Sequence, residues 1–153
     1  MILTTHILAG AAIGSKVHNY WLVAALSIVS HFVLDFFPHN EYGINGLKNG
    51  RLNKAFTLDF LKVAVDGIVG FFVATLLFSD YQNFGYVFVG MIFAVLPDFI
   101  LFLSYIFDSK ILNAIKKAHS GYVHFLKDKK IPAYARVGIQ VVIAIICMAI
   151  ISI

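Results

Sequence analysis

Residues 30–39 read SHFVLDFFPH and place ionisable side chains inside an otherwise apolar segment. His31 and Asp35 are four residues apart, so on a helix they lie on one face, one turn from each other. Pro38 cannot donate a backbone hydrogen bond, which predicts that the helix ends there, with His39 at its exit. Ionisable groups are costly in such a setting unless they face a partner or a water-filled cavity.

Two interpretations of this pair are open from the local sequence. An imidazole nitrogen and a carboxylate oxygen on one rigid helix can bind the same metal ion. The same two side chains can instead hydrogen-bond to each other inside a helix bundle. Other polar groups that converge on His31 and Asp35 would favour the metal site.

The composition predicts a single integral-membrane domain over residues 1–153. The chain is 60% hydrophobic and 13% charged, whereas soluble domains average about 25% charged residues. The net charge of +4 is then expected to record topology and contact with anionic lipid, and no nucleic-acid partner is predicted. Cys147 is the single cysteine, which excludes an intramolecular disulfide and a cysteine-based zinc site.

The distribution of apolar segments predicts an all-α, polytopic membrane bundle of about five helices. These helices are expected over residues 2–17, 20–37, 58–78, 84–107 and 133–153. Gly10 and Gly14 in the first helix have the spacing that lets another helix approach closely. Thr57 is predicted to cap the third helix.

A sixth helix is predicted over residues 109–127, lying along the cytoplasmic face of the membrane. Its apolar residues recur at helical spacing and its lysines occupy the other side, a pattern typical of membrane-surface helices. The lysines expected to contact anionic headgroups are Lys110, Lys116, Lys117 and Lys127.

The basic residues predict the orientation of the chain. Residues 39–62 contain four Lys or Arg and residues 108–136 contain seven, whereas the turn at 79–83 contains none. By the positive-inside rule the two basic segments are cytoplasmic. We therefore expect an inner (plasma) membrane protein of prokaryotic type, with the N-terminus and the site facing the cytoplasm and the C-terminus outside.

This topology brings polar groups from several helices to the inner leaflet and leaves the outer half nearly free of charge. That segregation favours a metal or catalytic site over scattered structural polar residues. Asp66 is predicted to be a metal ligand or the general base. His39 is either a ligand or an interfacial cap. The full set of predicted metal ligands is His6, His31, Asp35, His39, Asp98, His119 and His124.

The two histidines of the sixth helix present a difficulty of their own. His119 and His124 are five residues apart, about 140° around a regular helix, so both cannot bind one metal from such a helix. Either Gly121 breaks the turn, or one of the two histidines only supports a ligand.

The pattern resembles that of the small membrane-bound metal-dependent hydrolases, a family related by motif to zinc-dependent phospholipase C. The resemblance rests on His6, on the S-H-x-x-x-D element at 30–35, on LPD at 96–98 and on HSGYVH at 119–124. The chain departs from the family where LPDxDH is often found, since Phe99 and Ile100 follow Asp98. The resemblance implies a metal site and a hydrolytic activity.

The resulting expectation is metal-dependent hydrolysis of a phosphoester in a phospholipid or another amphiphile reached from the inner leaflet. Mixed imidazole and carboxylate ligands suit Zn²⁺, with Mn²⁺ or Fe²⁺ as alternatives. The alternative function is a non-enzymatic membrane protein that binds metal or translocates ions or protons, because such a protein also uses acids and histidines at membrane depth. A purely structural or partner-binding membrane module is the third interpretation. The sequence leaves the oligomeric state open.

Overall fold

The computed structural model describes residues 1–40, 42–49, 53–78, 81–119 and 131–153, and every regular element within these ranges is helical. A 3₁₀ turn at Tyr81–Asn83 precedes the fifth helix. The helices are α1 (Leu3–Lys16), α2 (Tyr20–Phe36), α3 (Asn45–Lys48), α4 (Lys54–Leu77), α5 (Phe84–Ile106), α6 (Lys110–Ala118) and α7 (Ala133–Ser152).

Three helices, α4, α5 and α7, are long and apolar enough to cross a membrane. Their outward faces are apolar: Ile68 on α4 is 68% exposed and Val142 on α7 is 55% exposed. Such surfaces are unusual for a protein surrounded by water and normal for one surrounded by lipid. Helix α2 is apolar but has 17 residues, and α1 has 14. At about 1.5 Å per residue, α1 extends only about 21 Å.

The short helix α1 lies at the centre of the bundle. It packs against α2, α4, α5 and α7, and nearly all of its side chains from Thr5 to Gly14 are buried. A Cβ atom added to Gly10 would lie 2.1 Å from the carbonyl oxygen of Gly90, and one added to Gly90 would lie 2.1 Å from that of Gly10. The backbones of α1 and α5 therefore touch, as the glycine spacing in α1 predicted.

Helix α4 also approaches α1 through a glycine. A Cβ atom added to Gly70 would lie 2.9 Å from the Cα atom of Thr4. Helices α4 and α5, by contrast, make few backbone contacts with each other in the described part of the chain. They meet through phenylalanine rings, such as Phe60 and Phe102, whose centroids are 5.8 Å apart. Helix α1 is thus the floor of a space that α4 and α5 border on its two sides.

The start of α4 differs from the prediction. The helix begins at Lys54, about a turn before residue 58, and its cap is Asn53, whose side-chain oxygen accepts a hydrogen bond from the amide of Phe56 at 3.0 Å. The prediction that Thr57 is the cap was therefore wrong. Thr57 lies inside the first turn, and its hydroxyl donates to the carbonyl of Asn53 at 3.2 Å.

The loop before α4 contains a short helix that the sequence did not indicate. Asp59 holds α3 in place, since its carboxylate accepts from the amide of Gly46 at 2.8 Å and from Lys62 Nζ at 2.9 Å. A Cβ atom at Gly46 would lie 2.5 Å from the carbonyl carbon of Ala55, so the glycine lets α3 lie directly on α4.

The predicted surface helix is described over its first half. Helix α6 runs from Lys110 to Ala118, has no buried residue and packs beside α5. His119 follows it and is buried. His124 and Lys127 lie outside the described residues.

The crossing of α1 and α5 yields a stability prediction. In Gly90→Ala, the added methyl group must push the two backbones apart, and we expect a lower melting temperature in detergent and a loss on the order of 1–3 kcal/mol. Gly138→Ala on α7 is the matched control, because a Cβ atom there meets nothing within 4 Å. It should keep or slightly raise the melting temperature, since alanine favours helix. Equal melting temperatures for the two variants would contradict this packing.

Candidate metal centre

Four side chains from three segments of the chain point their ligand atoms at one place. His31 and Asp35 come from α2, Asp98 from α5, and His119 from the residue after α6. One ligand atom from each lies within 4.8 Å of all the others. The structure thus brings together two residues of the 30–39 segment, the acid of the LPD segment and one of the two histidines near residue 120.

The distances within this group are short. His31 Nε2 lies 3.3 Å from Asp35 Oδ2 and 3.7 Å from Asp98 Oδ1. His119 Nε2 lies 3.6 Å from Asp35 Oδ2 and 3.8 Å from Asp98 Oδ1. Ligands about 2.0–2.1 Å from a tetrahedral Zn²⁺ lie about 3.3 Å from one another. All four imidazole–carboxylate distances are therefore at or slightly above the separation that one such ion would impose.

The backbone fixes which nitrogen of His31 faces the cluster. His31 Nδ1 lies 2.8 Å from the carbonyl oxygen of Ala94, an acceptor, so Nδ1 carries the hydrogen and donates it. His39 is held in the same way, with Nδ1 2.7 Å from the carbonyl oxygen of Phe37. Metal-binding histidines usually donate their second ring N–H to such an oxygen, which fixes the tautomer and orients the ring.

Several atoms at this place are buried without hydrogen-bond partners among the described residues. They include His31 Nε2 and Asp35 Oδ2, although the two lie close together, because their geometry is not that of a hydrogen bond. Buried polar atoms normally have partners, and leaving one without a partner costs about 1–3 kcal/mol. An ion bound between these side chains would give both atoms a partner.

Asp35 presents its other oxygen to a different group. Oδ1 lies 3.2 Å from His6 Nε2, 3.8 Å from His39 Nε2 and 2.6 Å from the amino group of Met1. His6 is fully buried, and its ring stacks on that of His31 with centroids 4.2 Å apart. The predicted residues His6 and His39 therefore also lie at this site, on the Oδ1 side of Asp35.

Burial acts on His119, which lies outside the candidate membrane-spanning helices. Removal from water lowers the pKa of His119, while the carboxylates of Asp98 and Asp35 act in the opposite direction. The net effect favours the neutral imidazole, the form that binds metals. The second histidine predicted in this segment, His124, is not among the described residues.

Asp66 belongs to a separate hydrogen-bonded group. Its carboxylate accepts from the amide of Thr4 at 2.9 Å, from the hydroxyl of Thr4 at 2.7 Å and from the phenol of Tyr42. These contacts join the first turn of α1 to the middle of α4. The sequence analysis assigned Asp66 to the metal site as a ligand or base, and the structure does not bring it into the group formed by His31, Asp35, Asp98 and His119.

Tyr42 is a site residue that the sequence analysis missed. Its phenol donates to Asp66, accepts from the amide of Leu3 at 3.1 Å and faces the same cavity as Asp35 and Asp98. Burial and the hydrogen bond to Asp66 raise the pKa of Tyr42, so it stays protonated at neutral pH. No local pattern marks Tyr42, because its partner is 24 residues away, on helix α4.

The cluster opens into a large cavity. This cavity has a volume of about 1200 Å³, and Asp35, Asp98 and His119 form part of its wall. The side chain of Asp98 is 24% exposed, whereas that of Asp35 is 1% exposed. A molecule in the cavity would therefore reach Asp98 first.

Comparisons with protein-family models, with curated proteins and with solved structures found no match to this chain. The arguments for its function therefore rest on the chemistry of the cluster and of the cavity beside it.

Proposed function

We propose that this chain is a membrane-embedded, metal-dependent hydrolase that cleaves a phosphoester of a phospholipid or another amphiphile at the inner leaflet. The observation that carries the proposal is the group of His31, Asp35, Asp98 and His119 at the wall of a large cavity. The motif resemblance to membrane-bound metal-dependent hydrolases agrees with it. Metal-assisted hydrolysis needs such a ligand set beside a space for substrate.

The donor atoms fit a metal ion of the zinc class. The imidazoles of His31 and His119 and the carboxylate of Asp35 would hold the ion, which leaves Asp98 to bind it as well or to face the water that a catalytic zinc site keeps. The buried atoms His31 Nε2 and Asp35 Oδ2 face this position. Such mixed nitrogen and oxygen ligands suit Zn²⁺, with Mn²⁺ and Fe²⁺ as alternatives. A bound Zn²⁺ supplies a Lewis acid that activates water and polarises a phosphoryl oxygen at neutral pH.

The protein's own residues orient and shield this chemistry. The carbonyl of Ala94 holds the His31 ring, and the carbonyl of Phe37 holds the His39 ring. Asp98 is the cluster acid most accessible from the cavity, which suits it to contact a substrate or its water. Asp66 remains the candidate base from the sequence, and its hydrogen bond to Tyr42 links it to the cavity wall.

The proposed topology has five helices in the membrane, with α1 and α2 joining the three longer spans. Helix α6 would then lie on the cytoplasmic surface, where its lysines contact anionic headgroups. The basic segments before α4 and around α6 support this orientation. It places the cluster near the inner leaflet.

Single-cysteine labelling tests the topology. In a Cys147→Ala background, Ser79→Cys and Lys129→Cys should react with an impermeant reagent from opposite sides of the membrane. Both positions lie outside the described residues and within turns of the predicted topology. Reaction of both from the same side would exclude the proposed arrangement.

Metal analysis tests the site. We expect purified protein to retain Zn²⁺, and His31→Ala or Asp35→Ala to weaken its affinity by at least about tenfold, since even residues that only support ligands have effects of that size. His18→Ala is the matched histidine control, because His18 packs beside Tyr86 and outside the cluster. Asp66→Asn should also keep the metal. Equal metal content in His31→Ala and wild type would remove the proposed site.

Hydrolysis is tested with metal-loaded protein in detergent, mixed phospholipids and soluble phosphodiesters. We expect product from wild type and none above background from His31→Ala or Asp35→Ala. If Asp66 is the base, Asp66→Asn should lose on the order of 100-fold in rate while keeping its metal. An unchanged rate in that variant would limit Asp66 to joining α1 and α4.

The second candidate function is a metal-binding or ion- or proton-translocating membrane protein. The buried histidines and acids of the cluster favour it as well, because polar groups at membrane depth are what an ion path requires. It predicts metal-dependent uptake into proteoliposomes with no phosphoester hydrolysis. Metal retention without product and without uptake would instead leave a purely structural metal site.

A further inference from the structure

The cavity beside the cluster is a groove that runs along α4. On α4 its wall extends from Phe60 to Thr75, a distance of about 22 Å at about 1.5 Å per residue. The facing wall is α5, and Leu3 and Ile7 of α1 form part of the floor. The groove exists because α4 and α5 each pack on α1 and make few backbone contacts with each other.

The shape and lining of the groove favour a long apolar ligand. Its volume of about 1200 Å³ exceeds the roughly 300–1,000 Å³ of ordinary small-molecule sites. Its length exceeds half of the roughly 30 Å hydrocarbon thickness of a bilayer, the depth of one leaflet. Between its ends the wall is almost entirely aliphatic and aromatic, with Gly67 and Ala64 leaving room at its middle.

The groove also opens sideways. Phe72 on α4 and Phe99 on α5 both line it, and they are 63% and 54% exposed, so their rings form part of its outer rim. Both helices present apolar outer surfaces to their surroundings. A ligand could therefore enter from the lipid phase without crossing a polar barrier.

One end of the groove is polar and carries lysines as well as carboxylates. Lys48 from α3 and Lys116 from α6 line it together with Asp35, Asp98 and His119. Lys116 Nζ lies 4.5 Å from the centre of the Tyr105 ring, which orients the ammonium group at this end. The groove therefore has an apolar body and, beside the carboxylates of Asp35 and Asp98, a cationic rim formed by Lys48 and Lys116 that can contact an anionic headgroup.

We propose that the groove between α4 and α5 binds one hydrocarbon chain of an anionic lipid, whose headgroup lies between Lys48, Lys116 and the His/Asp cluster. This proposal depends on the proposed function in one respect only: the headgroup is placed at the cluster because the bond to be cleaved would lie there. Binding of the chain requires neither metal nor hydrolysis, so the two can fail independently.

The first measurement is photocrosslinking in maltoside micelles with phosphatidylglycerol that carries a diazirine in its acyl chain. Crosslinks should concentrate in peptides containing Val63–Phe72 of α4 and Val95–Phe102 of α5, which line the groove. The exposed face of α7 should be labelled weakly, although it is equally apolar. Even labelling of α4, α5 and α7 would show a general lipid surface and would overturn the proposal.

A substitution that fills the groove tests whether lipid binds there, and the same substitution on α7 is its control. Gly67 lines the groove, and a Cβ atom there meets only Leu3 Cδ1 at 3.5 Å, an ordinary contact, so Gly67→Phe can place a ring in the groove. Gly138→Phe on α7 adds the same ring to an exposed helix glycine with nothing within 4 Å. We expect at least a fivefold loss of groove crosslinks in Gly67→Phe, wild-type crosslinks in Gly138→Phe, and equal metal content in both.

The cationic rim is tested by Lys48→Gln with Lys116→Gln. Each lysine near an anionic headgroup is expected to contribute about fivefold to affinity. The double variant should lose crosslinks to phosphatidylglycerol and keep those to a zwitterionic phosphatidylcholine probe. Lys16→Gln, in the last turn of α1 and away from the groove lining, is the control. Equal losses for both probes would contradict headgroup recognition by these lysines.

Hydrolysis assays separate the binding of lipid in the groove from the cleavage of a phosphoester. If the protein cleaves phosphoesters, Gly67→Phe should slow cleavage of long-chain lipids and leave soluble phosphodiesters unaffected. If it cleaves nothing, the crosslinking result still decides whether the groove binds lipid. Crosslinks that Gly67→Phe leaves unchanged would exclude the groove as the binding site, whatever the activity.

Discussion

The contact between the α1 and α5 backbones at Gly10 and Gly90 is the constraint on which the rest of the structure depends. The two helices run antiparallel there, because Gly14 meets the carbonyl of Tyr86 one turn further along. One turn in the other direction leads to His6 on α1 and Ala94 on α5. The crossing leaves no space for a side chain at Gly10 and Gly90. One turn away, it brings His6 and the backbone carbonyl of Ala94 to the same level.

Helix α2 completes the site through this acceptor. His31 donates to the carbonyl of Ala94, and its ring stacks on that of His6. Asp35, one turn further on α2, then has its two oxygens directed to different histidines. A buried carboxylate is costly without a compensating charge, and the surroundings of Asp35 provide the amino group of Met1 at 2.6 Å and histidines on both sides.

The sequence predicted the local features of the fold and site, because they depend on spacing along one helix. The four-residue separation of His31 and Asp35, the glycine pair of α1 and the limits of α2 and α5 to within a residue are of this kind. The cap of α4 was missed: Asn53 and Thr57 are both residue types that cap helices, and the helix begins at the earlier one.

What the sequence could not predict arises from contacts between distant segments. Tyr42 reaches Asp66 across 24 residues, and the Thr4 hydrogen bonds to the same carboxylate span 62. These contacts engage Asp66 at the junction of α1 and α4, whereas its depth along the helix alone suggested the metal site. The structure nonetheless brings His6, Asp35 and Asp98 to one place, as the predicted topology implied.

The groove forms because small residues lie where α1 contacts α4 and α5, and large residues lie where α4 and α5 face each other. Glycines at 10, 70 and 90 let α1 lie directly against both α4 and α5. Phenylalanines on the facing sides of α4 and α5, such as Phe60 and Phe102, keep these two helices apart. Without a solvent-driven hydrophobic force between helices in lipid, nothing requires that such a space be closed by helix packing. The polar cluster therefore lies at the end of an apolar groove whose outer rim includes the exposed rings of Phe72 and Phe99, and the proposed binding of a lipid chain rests on this geometry.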